Sequence, residues 1–563
     1  MAEVVSRIYA NFRGVDFRGA EINLVRSPDS LNVWKDYREI DSIRTRPGMV
    51  LERSFNEPVY GVYFYKNEDT EMQIVHSGNR LYKVANGEKT AFNIAVQREI
   101  SNAFIYNNIW YFKDGFNYLQ YDGKTFKRVE GYVPTTSIGR KPSGGGTVYE
   151  DVNLISRYRI NTFLGDGEST EYYLDATSID TTFVPEVYVD GVKVDEANYS
   201  VHYASGKITF LNDYKPPAPM TDGQDNVSIK YLKGVPGYEN KIRKCKMLQV
   251  FDNRVFLSGN PDYPNVIFHC SLNDPTYFSD LDYYNEGYDN AEVKGLVAGN
   301  NVLWVFKEPS LENTTVFYHN PTIDSEYGKI YPSTHSNIAT GCIGKAINFN
   351  DDIVFFSDRG MEAINGDVTT EQVIAHRSTL IDRKLISEAD YKNMLLEEWE
   401  GYLLVFIGDS VYLADSRGTF ANGNHIEYEW FYWKLGKKIN CTAVHNGILY
   451  LGTDDGVYTL TDMKSNVESY WTTPIDKFEN PHLQKTSNKR GCVIEATGDI
   501  TVSAKTDKTE WEEIGKHENV TDYFTSRVKR KKFKDLQLKF SSDTRFSLET
   551  ATFEVFIGGY IKR

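Results

Sequence analysis

Apolar and aromatic residues alternate with polar ones along most of the chain, in short runs bounded by Asn, Asp and Gly. Examples are GVYFY (61–65), NIWYF (108–112), NVLWVF (301–306), DIVFFS (352–357) and GILYLGTDDGVYTL (447–460). A period of two, carried by β-branched and aromatic residues between turn formers, predicts strands. Helical spacing is confined to the tract 378–398, where one or two short helices are expected. The fold class is therefore all-β.

Six runs share a layout of apolar residue, tight polar turn and aromatic strand: IYNNIWYF, VFDNRVFLS, VAGNNVLWVF, NFNDDIVFFSDRG, EWEGYLLVFIGD and VHNGILYLGTDDG. Their turns fall near Asn107, Asn253, Asn300, Asp351, Gly401 and Gly447, and the last five recur about every 50 residues. That interval suits a four-stranded sheet repeated as a propeller blade. A weaker seventh copy, VHSGNRLYKV (75–84), precedes them. The expectation is a β-propeller of six or seven blades, with six preferred. Separate β-sandwiches would also bring strands at short intervals, but would have no reason to keep an even long-range spacing. Closed radial repetition also removes the exposed strand edges that so aromatic a chain would otherwise present.

The first gap between copies is too long by about 95 residues, and the excess has a grammar of its own. INTFLGDGESTEYYL, VYVDGVKV and YSVHYASGKITF give alternating strands joined by Asp-Gly and Ser-Gly turns, with Asp190-Gly191 suited to a tight hairpin. Gly- and Pro-rich flanks, KPSGGGTVY and KPPAPMTDGQD, set this tract apart. After Met463 the repeat stops and longer alternating runs follow. The expected organisation is an N-terminal arm (1–55), a propeller (56–135 and 235–463), an inserted Ig-like β-sandwich (140–233) and a C-terminal β-sandwich (464–563).

With 563 residues, core size is not limiting. The net charge of −15 is spread along the chain, which argues against a general nucleic-acid binder. The basic run RVKRKKFK (527–534) reads as a solvated strand face or a partner contact. No stretch is long and apolar enough to predict a membrane helix, and the start lacks a signal-like apolar run, so synthesis in the cytoplasm is expected. The five cysteines are scattered and never spaced as C-x-x-C, so free buried thiols are expected rather than a disulfide framework or a zinc site.

Motifs for chemistry are few. The chain has no Gly-rich phosphate loop, no H-E-x-x-H, no G-x-S-x-G and no calcium-loop ladder. Asp358, Glu362, Asp454 and Asp455 could supply paired carboxylates for glycoside hydrolysis. Asp-Gly between aromatic strands, however, is what a hairpin needs for its own geometry. His269, His335, His425 and His445 lie in or beside strand-like tracts and read as structural. No catalytic residue, cofactor or metal site is assigned.

The opening segment, NFRGVDFRGAEINLVRSPDSLNVWKDYREIDSIRTRPGM, resembles the start of virion proteins from tailed bacteriophages: an extended arm ending in an RPG turn ahead of propeller blades. The segments 253–278 and 301–317 are similar to blades of the β-propeller proteins that form the tail nozzle, or connector-stabilising hub, of short-tailed phages. The insertion resembles small sandwich domains of phage tail and fibre proteins. The resemblance implies a virion tail component assembled in the host cytoplasm, forming a ring of six subunits below the portal and adaptor. That ring would continue a channel through which DNA passes without sequence-specific binding, and would act by assembly rather than catalysis. An acidic lumen would let the phosphates slide. The arm and insertion are then the natural contact parts, with Trp34, Tyr37 and Arg46 as candidate interface residues. Two alternatives stay open for the arm, since Trp34 could equally close a blade of its own subunit. Other readings of the whole are a glycan-binding or glycan-cleaving tail propeller and a tail-tip or baseplate component of a long-tailed phage.

Overall fold

The computed structural model describes residues 3–38, 42–66, 71–85, 87–325, 328–365, 372–422, 425–528 and 532–560. The protein is all-β. Among the described residues, α-helix is limited to Tyr238–Arg243 and Asp382–Leu385, with short 3-10 turns at Glu196–Asn198 and Tyr391–Asn393. Two of these fall in the tract where helical spacing was expected. Tyr238–Arg243 is too short for a periodic pattern to show.

Seven four-stranded antiparallel sheets follow one another among the described residues. Their first strands are Val59–Lys66, Asn102–Tyr106, Met247–Phe251, Val293–Gly299, Ala346–Phe349, Leu395–Trp399 and Cys441–His445, and the sheets are called one to seven in that order. In sheets two to seven, two residues with positive φ join the first strand to the second: Asn107-Asn108, Asp252-Asn253, Asn300-Asn301, Asn350-Asp351, Glu400-Gly401 and Asn446-Gly447. Such a pair carries the twist a two-residue hairpin needs, and Asn, Asp and Gly tolerate it best. The repeat in the sequence thus marks one structural position.

Most of these first strands lie against the first strand of the next sheet, and sheet seven returns to sheet one. Sheets two and three join through a shared core that includes Phe104, Tyr111, Val255 and Leu257. There Asn102 Nδ2 also donates to the Lys246 carbonyl at 2.6 Å. Sheet seven draws its outermost strand, Gly48–Ser54, from ahead of sheet one and pairs it with Gly456–Asp462. The arrangement is propeller-like. The preference for six units gives way to seven sheets among the described residues. Residues 75–84 belong to a complete sheet, but their turn joins its second and third strands, out of phase with the other copies. Residues 67–70, between the first and second strands of sheet one, lie outside the described residues.

The insertion is a β-sandwich. A six-stranded sheet that includes Thr135–Arg140, Tyr158–Phe163 and Val227–Leu232 faces a three-stranded one of Glu171–Tyr173, Lys207–Phe210 and Tyr199–His202. Phe163, Val187 and Ile229 from the first meet Tyr172 and Ile208 from the second in one core. Its first strand begins at Thr135, so the domain starts slightly before residue 140. Asp190 and Gly191 both have positive φ, and Val189 pairs with Val192 across them, which is the tight hairpin expected there.

The two ends of the chain meet. A ten-stranded sheet contains Leu483–Thr506, Leu536–Ser542, Phe546–Tyr560 and Ser469–Thr472, and the arm adds Glu3–Tyr9, Ser30–Leu31, Val33–Trp34 and Ile43–Thr45. Glu3–Tyr9 and Ile43–Thr45 both pair with Phe546–Tyr560. One hydrophobic core runs from Trp34 and Ile43 through Leu404, Trp433 and Leu451 to Val502, Phe540 and Phe553. The expected separation of arm and C-terminal sandwich is corrected accordingly. Within the first 47 residues, the strands Glu3–Tyr9, Ser30–Leu31, Val33–Trp34 and Ile43–Thr45 all belong to the C-terminal sheet, and Gly48–Ser54 belongs to sheet seven. Burying both apolar faces against one another is what holds so short a set of strands in place.

Candidate assembly interface at the arm

The tract around Trp34 crosses sheet six. Trp34 is buried beside Trp399, Tyr402 and Trp433, with ring centroids 5.7, 5.3 and 5.8 Å away. Polar contacts fix the backbone at the same place. Trp433 Nε1 donates to the Val33 carbonyl at 3.1 Å, and the Tyr402 hydroxyl donates to the Lys35 carbonyl at 2.7 Å. Asn32, at positive φ, accepts on Oδ1 from Arg46 Nε and from the Lys434 backbone N–H, both at 2.8 Å.

Arg46 is buried. Its guanidinium donates to the Pro47 and Lys434 carbonyls at 2.8 and 2.7 Å as well as to Asn32. Burial, reinforced by the like charge of Arg545, lowers its pKa to about 10. It ties the RPG turn to the last strand of sheet six. The expectation that Trp34 and Arg46 anchor a contact between subunits is therefore corrected: both side chains are enclosed by their own chain, which leaves no face for another.

Tyr37 is different, being 43% exposed. The guanidiniums of Arg38 and Arg417 lie 5.0 and 4.7 Å from its ring centroid, and Arg417 also covers Tyr402 at 4.2 Å. Carboxylates hold each arginine in position, Asp36 and Glu400 at 3.0 Å from Arg38 and Asp415 at 2.9 Å from Arg417. An aromatic ring between two preorganised guanidiniums joins the residue types that dominate interface energies. Sequence reasoning found Tyr37 but not Arg417, which a separation of hundreds of residues hides from any local pattern. Residues 39–41, next to this patch, lie outside the described residues.

The acidic candidates are not brought together. Asp358 and Glu362 lie in sheet five and Asp454 and Asp455 in sheet seven, with sheet six between them. Glu362 is buried and lies 3.0 Å from His376. Asp455 sits in a hairpin turn, where Lys437 at 2.7 Å and the Thr453 hydroxyl bring its pKa down to about 2. His269 is buried, and its Nδ1 lies 3.0 Å from the Cys270 carbonyl. His445 stacks on Phe64 with centroids 4.0 Å apart. His335 is exposed beside a cavity in sheet four. The side chain of His425 and the centre of the basic run, 529–531, lie outside the described residues. Among the described residues no group of three or more His, Cys, Asp or Glu is placed to hold a metal ion.

No family model and no curated protein matches the chain. Solved structures show distant similarity. BamB from Moraxella catarrhalis aligns over 73% of this chain and 96% of its own, at 12% identity and a TM-score of 0.34. An exo-β-1,3-galactanase from Phanerochaete chrysosporium aligns over 93% and 100%, at 8% identity and a TM-score of 0.23. Hsv2p from Kluyveromyces lactis aligns over 67% and 96%, at 8% identity and a TM-score of 0.25.

Proposed function

We propose that the chain is a structural subunit of a bacteriophage tail, a seven-bladed propeller that assembles into a nozzle or hub ring below the portal and adaptor. The reading starts from the resemblance of the arm and blades to the propeller proteins of short-tailed phages. The observation that carries it further is the closure of the chain on itself. The arm is consumed in a sheet that clamps sheets six and seven, leaving a braced body with the Tyr37, Arg38 and Arg417 patch at its surface. A part that holds DNA and later releases it needs such bracing, and a Tyr–Arg patch suits contact with a neighbouring subunit.

In this proposal six subunits surround a lumen, DNA passes along it without base-specific contacts, and the surplus of acids discourages sticking. Function follows from assembly, with no catalytic step.

The test is the mass of the purified protein, alone and mixed with the portal and adaptor proteins of its own virion, by mass photometry and negative-stain imaging. Rings formed by the wild type and lost in Tyr37→Ala and Arg417→Ala support the proposal. Monomers under all conditions, with release of reducing sugar from host-surface glycan, would replace it with the glycan-cleaving reading.

A further inference from the structure

Tyr288 and Leu311 stand fully in solvent. They flank a groove of about 580 Å³ at the outer strands of sheets three and four, Tyr283–Asn285 and Ser333–His335. Buried Phe317 lies at its floor, and Asn313 and His335 stand on its rim. The two loops that carry Tyr288 and Leu311 are tied together. Glu312 Oε1 accepts from the backbone N–H of Tyr288 and from that of Asp289, the latter at 2.6 Å. Lys307 Nζ lies beneath them, 2.7 Å from Asp289 and 3.7 Å from Glu312. Gly287, at positive φ, lets the turn close on the Glu312 carboxylate, where a Cβ would not fit. Large apolar side chains held out on a fixed base mark a contact surface.

The charges at this groove and at Tyr37 are layered in opposite senses. At Tyr37 the bases lie outermost: the Arg38 side chain is 55% exposed against 6% for Asp36, and Arg417 likewise stands outside Asp415. At the groove the acids lie outermost: Asp289 is 35% exposed against 0% for Lys307, and Glu292 and Glu308 are both more exposed than the Lys294 they share. The loops 287–292 and 308–312 hold four carboxylates and no base. The two patches also lie apart around the ring, one on sheet six and the other on sheets three and four. A head-to-tail ring needs two such faces on each subunit, different from one another and complementary.

We propose that the groove between Tyr288 and Leu311 receives Tyr37 of a second copy of the chain. The incoming ring packs over Phe317, and Arg38 and Arg417 beside it face the carboxylates of the two loops. Asn313 and His335 on the rim offer polar partners to the phenol hydroxyl, which a tyrosine needs when its ring is covered. This inference rests on the reading that copies assemble through the Tyr37 patch, and adds the face that takes it.

The experiment is mass photometry of the full chain over a concentration series, alone and with the portal and adaptor proteins, for the wild type, Tyr37→Ala and the double variant Tyr288→Ala/Leu311→Ala. Phe116→Ala, an exposed apolar side chain in a turn of sheet two, is the control. The double variant is expected to raise the concentration for half assembly at least about tenfold, as Tyr37→Ala does, and the control to leave it unchanged. All the substituted side chains are exposed, so thermal midpoints should stay together. The pairing is read directly by mixing Tyr37→Cys with Leu311→Cys under mild oxidation. A disulfide-linked dimer is expected from the mixture and from neither variant alone. Rings that Tyr37→Ala disrupts but the double variant leaves intact, with no cross-link in the mixture, overturn this inference and leave the assembly reading standing. Wild-type monomers under every condition overturn both.

Discussion

Trp34 stacks on Trp399 with ring centroids 5.7 Å apart and planes inclined by 23°. One ring comes from the arm and the other from the end of the first strand of sheet six, so the contact binds the start of the chain to the ring. Replacing Trp34 by alanine is expected to cost about 3–5 kcal/mol, the range for a buried Trp whose cavity cannot collapse. Tyr37→Ala, at the surface, is expected to stay within about 1 kcal/mol. Urea midpoints with unchanged m-values would show both, and equal losses at the two positions would contradict the placement of the arm.

Removing residues 1–47 uncovers the edge of Phe546–Tyr560, which Glu3–Tyr9 and Ile43–Thr45 cover in the native protein. It also opens the core around Trp399 and Trp433. A bare, long, apolar edge invites pairing between molecules. The truncated chain is expected in the insoluble fraction. A soluble, monodisperse truncated monomer would mean that the arm clasps a neighbour instead.

Stability should fall at both ends of the pH scale, for different histidines. His376 lies 3.0 Å from Glu362 and 2.6 Å from Asp382. Burial opposes its charge, but the two carboxylates prevail and raise its pKa to about 9. The folded value exceeds the unfolded one, so this contribution is complete below about pH 6.5 and is lost as pH rises towards 9. It amounts to about 3 kcal/mol at most. His76 and His269 are held neutral by burial, with pKa values lowered to about 4. Their contribution is present above about pH 6.5 and is lost as pH falls towards 4. Thermal midpoints between pH 4 and 9.5 should form a dome, and His376→Gln should flatten only its alkaline side.

Cys245, Cys270, Cys342, Cys441 and Cys492 are free and buried. Burial pushes the first four thiols up to about 12 and Cys492 higher still. A thiol that stays protonated and covered does not attack disulfides. Ellman's reagent should detect no thiol in the native protein and all five in guanidinium. Rapid labelling of one cysteine without denaturant would show local opening at its sheet.

What could be read in the sequence was local. The Asn, Asp and Gly pairs of sheets two to seven announced their turns because positive φ restricts residue choice. Asp190-Gly191 did the same in the insertion. Pairings distant along the chain left no such trace. Ser30 opposite Trp471, and Val5 opposite Val555, are set by tertiary burial, and the arm therefore looked irregular. The patch at the arm was half legible, because Tyr37 stands in a suggestive tract while Arg417 lies in an ordinary strand.

The pairing of Gly48–Ser54 with Gly456–Asp462 also dictates a timetable. About 400 residues must be made between the two halves of that sheet, some 20–80 s at 5–20 residues per second. Throughout that interval the early strand has no partner from its own sheet. Pro47 just ahead of it, and the charges of Glu52 and Arg53 within it, are features that keep a waiting strand from pairing elsewhere. The last of the seven sheets is completed by a strand made before the first strand of sheet one.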